Sequence, residues 1–333
     1  MESLKKAKDR LKNVPLARKT YDLLLSSNYS VQKAWHRASY EIISKQEFIR
    51  DIRTATNSRT GYAAGKIGES QQHWMYYEVL LSGTKNPDKI KRFEERLLFH
   101  GLKQVGIFPA TPSYYLEYNK FYMEHVRNLD CLGLFNYPRE IRLIQYYQLK
   151  NKFVFFVDQE PDKSSPSRED NCYLQYFRDK KILLVCPFGH FLKQRATQEI
   201  FEGVWSKTGK KWFYPAQVDS VEFPYGFSRE TQEKYPTATD LYHDIVSEID
   251  KKDFDVALIS AAGLAIPIAS YIKNLGKVAI DLGGHQQFLF GVMGKRWRDK
   301  TDFRQKYLNE HWVDMPDYYK PNEKDVCDQG AYW

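Results

Sequence analysis

Residues 253–281 read DFDVALISAAGLAIPIASYIKNLGKVAID. Two short apolar runs, around VALIS and KVAID, enclose GLAIPIASYIKNLGK. That middle stretch is long enough for a helix and closes on Gly276, a residue suited to a helix C-terminus. Runs without polar alternation belong to strands covered on both faces. KKILLVCPFGH, residues 180–190, has the same continuous apolar character. Strands alternating with helices in this way specify an α/β fold: a Rossmann-like, mainly parallel sheet flanked by helices.

Upstream, periodicity predicts helices over 71–81, 87–100 and 113–128. The second opens at Pro87 and closes at Gly101. Short β-like runs follow at 130–135 and 152–157, and a polar, proline-containing loop is expected over 158–171. Downstream of KKILLVCPFGH a helix is expected over 191–204. WFYPAQV, a loop through Pro224 and Gly226, and a helix over 240–250 come next. Before residue 61 the chain is charged and loosely helical, with Leu11, Val14, Leu23 and Leu24 spaced around an interrupting Pro15. Asn57, Ser58 and Gly61 break that pattern. The expected organisation is therefore a basic helical extension over 1–60 and a Rossmann-like catalytic domain over 61–333.

The chain has 333 residues, enough for one large core, and its 42% hydrophobic and 28% charged residues are ordinary for a folded protein. Aromatics reach 15%, which serves a well-filled core before it serves sugar or base stacking. The net charge of +8 favours an anionic partner. Lys5, Lys6, Lys8, Arg10, Lys12, Arg18 and Lys19 concentrate that charge at the N-terminus. Such a segment is either a solvated helix face or a contact with a membrane surface. No nucleic-acid motif accompanies the basic residues, which are interspersed with acidic ones, so nucleic acid is not an expected partner. Cys131, Cys172, Cys186 and Cys327 lack metal spacing and read as reduced structural thiols. No run approaches the roughly 18 to 20 apolar residues of a membrane span, and the N-terminus lacks the apolar core of a signal peptide. The expected location is the cytoplasm, at the inner face of the membrane if the basic segment binds lipid.

Three strand ends carry turn and polar residues: Pro187-Phe188-Gly189-His190, Ala261-Ala262-Gly263 and Asp281-Leu282-Gly283-Gly284-His285. Ligands of open α/β sheets bind outside the carboxyl ends of the strands. Gly263 opens a helix directly after a strand, where backbone N–H groups can meet a phosphate. Gly283 and Gly284 permit close approach of a ligand to the main chain, and His285, Gln286 and Gln287 add polar groups beside them. The alternative for this stretch is a hairpin or bulge with exposed polar residues. Lys295 and Arg296, with Arg298 close behind, are suited to a diphosphate. Trp297 suits either stacking on a base or sugar or a place in the core. The segment GYAAGKIGESQQHW, residues 61–74, brings Lys66, Gly68, Glu69 and Ser70 before a helix. It departs from the Walker pattern, and Ser70 or Glu69 is placed to cap that helix.

The stretches KKILLVCPFGHFLKQ, DFDVALISAAGLAIPIASYIKNLGKVAIDLGGHQQFLFGVMGKRW, NEHW and the terminal AYW resemble glycosyltransferase-type proteins encoded in bacterial capsule and O-antigen clusters. The layout is also similar to GT-D glycosyltransferases, whose Rossmann-like domain transfers a sugar from a nucleotide donor. The GT-D late motif, Asp-Ile-Gly-His, maps onto Asp281, Leu282, Gly283 and His285, with Gly284 inserted. The early motif, Arg-Phe-Gly-Asp-Gly-Glu, maps onto residues 64–69, with Glu69 at the glutamate position and Ile67 at the aspartate position. In that family the two carboxylates serve a divalent metal and the donor diphosphate. Here the Ile67 departure leaves the Mn²⁺ or Mg²⁺ site short of oxygen ligands.

The resemblance implies a glycosyltransferase that uses a nucleotide sugar, UDP-linked, and a glycan or lipid-linked saccharide acceptor in surface polysaccharide synthesis. Glu69 leads as base, followed by Asp281 and His285. Lys66, Lys295, Arg296 and the helix start at Gly263 would neutralise the diphosphate. Pro187, Phe188, Gly189, Gly68, Ser70, Gly283, Gly284, Gln286 and Trp297 would line the site. The alternative is a non-catalytic assembly protein that keeps the pocket for nucleotide or glycan recognition.

Overall fold

A computed structural model of the chain describes residues 40–135, 138–161, 172–209, 213–298, 300–325 and 327–333. Seven strands form one sheet: β1 Tyr62–Lys66, β2 Cys131–Leu134, β3 Lys152–Phe155, β4 Lys181–Val185, β5 Gln217–Val221, β6 Val256–Ile259 and β7 Val278–Asp281. Their order is β3-β2-β1-β7-β6-β4-β5, and every neighbouring pair is parallel. The Rossmann-like α/β architecture expected from residues 253–281 is the one observed. Register pairs Ala64 with Ile280, Ile259 with Asp281 and Val185 with Ile259, which brings the carboxyl ends of the central strands to one edge.

Helices cover both faces, which explains the unbroken apolar strands. One face carries the Gln71–Gly83, Pro112–Asn128, Ala238–Asp250 and Ala265–Asn274 helices around Trp74, Tyr118, Tyr122, Ile245 and Ile266. The other carries Lys45–Ser58, Gly189–Arg195, Gln198–Val204 and His285–Leu289 around Phe48, Ile52, Leu192, Trp205 and Phe288. Helix starts follow local chemistry. Ser44, Asn86, Thr111 and Thr197 each accept a backbone N–H from the first turn, and Thr237 forms a reciprocal capping box with Asp240.

The chain leaves β4 outward to β5, whereas it leaves β6 inward to β7. Right-handed crossovers in opposite directions put the connecting helices on opposite faces and open a crevice between β4 and β6 at the carboxyl edge.

Several local expectations change. Tyr62–Lys66, for which no strand was expected, is a central strand. A Cβ on Gly65 would lie 2.7 Å from Leu129 and 3.0 Å from Ile266, so the glycine admits close helix–sheet packing there. The 87–100 helix is α-helical only to Leu98 and continues as a π-helical turn over Phe99–Gln104. Gly101 does not end it. The 191–204 helix is two segments, Gly189–Arg195 and Gln198–Val204, and β5 takes the last two residues of WFYPAQV and the three that follow. Within the expected 1–60 extension, Lys45–Ser58 packs Phe48, Ile49 and Ile52 into the same core as the sheet, and Ile42 bridges to Phe153. Residues 40–58 thus belong to the main body. Residues 1–39, with the basic cluster, and 162–171 of the expected loop lie outside the described residues. All four cysteines are buried, and none forms a disulfide among the described residues. Among the described residues no helix is long and apolar enough to cross a membrane.

Candidate functional site

The turn after β7 is the centre of the site. Gly283 adopts a φ of +53°, and Gly284 leads into the short helix His285–Leu289. Asp281 Oδ1 accepts the Gly283 N–H at 2.9 Å and so fixes the turn. Lys66, at the end of β1, donates from Nζ to the Asp281 carbonyl at 3.2 Å. Its Cε and Nζ lie 3.4 and 3.5 Å from where a Gly283 Cβ would stand. On the other side of the turn the Arg296 guanidinium lies 3.2 Å from a Gly284 Cβ position and covers the Tyr332 ring at 4.5 Å. Two cations from distant parts of the chain therefore flank two residues without side chains.

The 66–71 segment is tied to its neighbours by two glutamines. Gln71 Nε2 donates to the Ala262 carbonyl at 3.4 Å, and Ser70 Oγ donates to Gln104 Oε1. Ser70 spends its hydroxyl there and does not cap the following helix. Segments 66–71, 260–264 and 281–285 thus meet at one edge. A narrow cleft of about 100 Å³ opens beside them, smaller than the roughly 300–1,000 Å³ of typical ligand pockets. Main chain at Gly106, Ser260–Ala262 and Gly283–Gly284 forms one wall, and Phe188, Phe223, Tyr225, Tyr332 and Trp333 form an aromatic one. Pro187 joins the aromatic wall.

Other expected site residues serve the scaffold. The Gly263 N–H donates to the Val105 carbonyl at 3.1 Å, which leaves that donor nothing to offer a phosphate. Gly189 is buried with its Cβ position 3.1 Å from Ser220 Cβ, and packs its helix on β5. Gly68 faces the Gln71 side chain. Gln286 is fully buried and bonds the Leu258 carbonyl at 3.0 Å, and Gln287 bonds the Tyr332 carbonyl at 2.8 Å. Both amides are buried against main chain, and the run is a helix start rather than an exposed hairpin. Trp297 is buried 5.3 Å from Phe288, in an aromatic cluster with Phe303, so the core reading holds for it. Lys295 is exposed, and Arg298 pairs with Asp314.

The three candidate bases differ sharply. Asp281 is 4% exposed, and burial raises its pKa against the opposing effect of Lys66 and its hydrogen bonds. His285 is 5% exposed, with Nδ1 3.6 Å from Glu160 and its ring 4.9 Å from Phe288. Both lie beneath the turn. Glu69 is exposed, within the field of Arg139, and is not among the residues that line the cleft. Behind it, His73 bonds the Glu69 carbonyl through Nδ1 at 3.0 Å and stacks on His100 at 4.0 Å. Burial, helped by the charges of His100, Arg139 and Arg96, lowers the His73 pKa to about 3.

Ile67, at the aspartate position of the GT-D early motif, is buried in the core. Among the described residues no three His, Cys, Asp or Glu side chains assemble as metal donors. With one exposed and one buried carboxylate, the site does not fit a divalent ion. Gln71, Gln104 and Tyr332 were not legible as site residues. Gln104 arrives through the π-helical turn, an irregularity frequent at functional sites, and Tyr332 through the fold of the last residues onto Arg296.

A family model described as a GT-D fold-like domain matches residues 237–289, from the Thr237 cap through β6 and β7 to the end of the helix after the two-glycine turn. No curated protein matches the chain. Among solved structures, a glycosyltransferase (DUF1792) from Streptococcus sanguinis is similar at 12% identity and a TM-score of 0.34, over 84% of this chain and 97% of that one. The chain is distantly similar to GT-D-type glycosyltransferases.

Proposed function

We propose that this protein is a glycosyltransferase that moves a sugar from a UDP-linked donor to a glycan or lipid-linked acceptor of a surface polysaccharide. The observation that carries the reading is the Gly283–Gly284 turn between Lys66 and Arg296, beside an aromatic cleft at the sheet's topological switch. The glycines admit a diphosphate to the main chain, and the two cations take up charge as it leaves. The aromatic wall offers flat faces to the base. In the transfer the anomeric carbon–phosphate oxygen bond breaks, and a bond forms from the acceptor oxygen to that carbon. Glu69, the exposed carboxylate that follows β1, accepts the acceptor's proton. Asp281 and His285 hold the turn from below, and Lys295 adds positive charge at the surface.

A thermal-shift panel of UDP-, GDP-, CMP- and dTDP-sugars, with and without Mn²⁺, tests this. The expected result is a rise in Tm with the UDP-sugar that Lys66→Ala and Arg296→Ala diminish. No rise with any nucleotide would overturn the proposal. Burial of Ile67 at the aspartate position favours a second reading, a binding protein without turnover. Nucleotide-sugar hydrolysis separates the two: an enzyme turns over and loses rate in Glu69→Gln, whereas a binder turns over in neither form. The proposal extends to place: the basic residues between Lys5 and Lys19 hold the enzyme against anionic lipid at the cytoplasmic face, where lipid-linked acceptors are presented.

A further inference from the structure

Beyond the ends of β4 and β5 the aromatic cleft runs into a second, open depression of about 630 Å³. Pro187, Phe223 and Tyr225 line both hollows, so a molecule seated in one lies next to a molecule seated in the other. The depression has the opposite electrostatic character. Its ionisable groups include Glu222 and Glu230, and its cation Lys320 is engaged by Asp317 at 2.7 Å. Phosphates would be disfavoured here; a neutral polyhydroxylated ligand would not.

Two features suit such a ligand. Tyr318 is 79% exposed, the most exposed large hydrophobic side chain among the described residues, and its ring lies 4.7 Å from that of Tyr319. An aromatic ring left facing water beside a hollow costs apolar exposure that a bound ligand would relieve. The C–H face of a pyranose is the complementary surface. Glu222 supplies the second feature. Its Oε2 accepts both the His190 N–H and the Tyr319 hydroxyl at 2.9 Å. These bonds fix the carboxylate, while Oε1 makes no hydrogen bond among the described residues. His190 is itself steadied by Ser220 Oγ at 3.0 Å, and Tyr319 by Phe191 at 6.1 Å. A preorganised carboxylate beside an aromatic platform accepts hydroxyl hydrogen bonds at low entropic cost.

We infer that this depression is the acceptor-saccharide subsite, with Tyr318 as platform and Glu222 as hydroxyl acceptor. The assignment rests on the transferase reading, which requires a sugar hydroxyl adjacent to the donor cleft. The test is saturation-transfer NMR on the full chain with cellobiose, maltose and chitobiose, paired with the UDP-sugar thermal shift. At least one disaccharide receives saturation from the wild type. Tyr318→Ala and Glu222→Gln each weaken that binding by about fivefold, the size of one aromatic or hydrogen-bonding contact, and leave the UDP-sugar shift unchanged. Tyr318 is exposed, so its truncation leaves the fold intact. Absence of transfer to all three sugars, or transfer undiminished in Tyr318→Ala, overturns the subsite. If the sugars bind through Tyr318 but no nucleotide sugar shifts the Tm, the subsite stands and the transferase reading falls; the reverse pattern discards the subsite alone.

Discussion

The two edges of the same sheet both carry cations and hold them differently. At the amino edge a broad hollow of about 810 Å³ lies among Asp51, Asp130, Lys150 and Lys152. Lys152 meets Asp51 at 2.8 Å, and Lys273 meets Asp130 at 2.8 Å, so two cations there are paired with carboxylates from neighbouring elements, and Arg127 and Lys150 also line the hollow. At the carboxyl edge Lys66 rests on a backbone carbonyl and Arg296 on an aromatic ring, while Asp281 is withdrawn below the turn and pushed by burial toward its neutral form. What distinguishes the carboxyl edge is where its cations stand, beside a turn of two glycines, rather than the volume of the hollow.

The contrast breaks most visibly through the cations. Lys66→Ala combined with Arg296→Ala is expected to weaken UDP-sugar binding by about 100-fold or more, since each charge-assisted contact contributes about 1.5–3 kcal/mol. Calorimetry showing wild-type affinity in that double variant would erase the distinction between the edges.

A smaller effect probes how the carboxyl edge is built. Gly65→Ala would push a methyl group against Leu129 and Ile266, and the expected loss is about 1–3 kcal/mol, read from the urea midpoint. An unchanged midpoint would mean that β1 tolerates a side chain there.

The pH dependence sharpens the comparison next. His73 has a folded pKa of about 3, against about 6.5 when unfolded. The unfolded chain therefore binds the extra proton as pH falls, so stability present above pH 6.5 is lost going down toward pH 3. Between pH 6.5 and 5 the wild type should lose about 2 kcal/mol more than His73→Gln, at about 1.4 kcal/mol per pH unit. Parallel denaturation curves for the two proteins across that range would contradict the assignment of burial and positive surroundings to His73. The smallest effect is the control at the amino edge. Lys152→Ala should cost less than about 1 kcal/mol and leave UDP-sugar binding unaltered, because its partly exposed ion pair contributes little.

Legibility followed the strength of the apolar signal. β4, β6 and β7 are continuous runs of branched residues bounded by turn chemistry, so sequence alone finds them. β1 is Tyr-Ala-Ala-Gly-Lys, and its small residues carry almost no strand preference. It is a strand because β2 and β7 bond it on both sides and two helices leave room only for glycine. The same limit applies to Trp297, Gln286 and Gln287: a polar or aromatic residue in a helix of four or five residues reads alike whether it faces a ligand or the core. The expected role for the Gly263 N–H failed because the loop that consumes it comes from Val105, far away in the chain.

The residues by themselves determined that this chain folds as a helix-flanked parallel sheet and that glycine-rich turns end its strands. Both follow from local patterning, where burial on two faces and backbone freedom are written residue by residue. Tertiary structure decided that β1 enters between β2 and β7, which sets Lys66 against a turn 215 positions away, and that Arg296 closes on it from the other side. Strand order depends on the sum of many packing contacts rather than on any one segment, and the site exists only once that order is set.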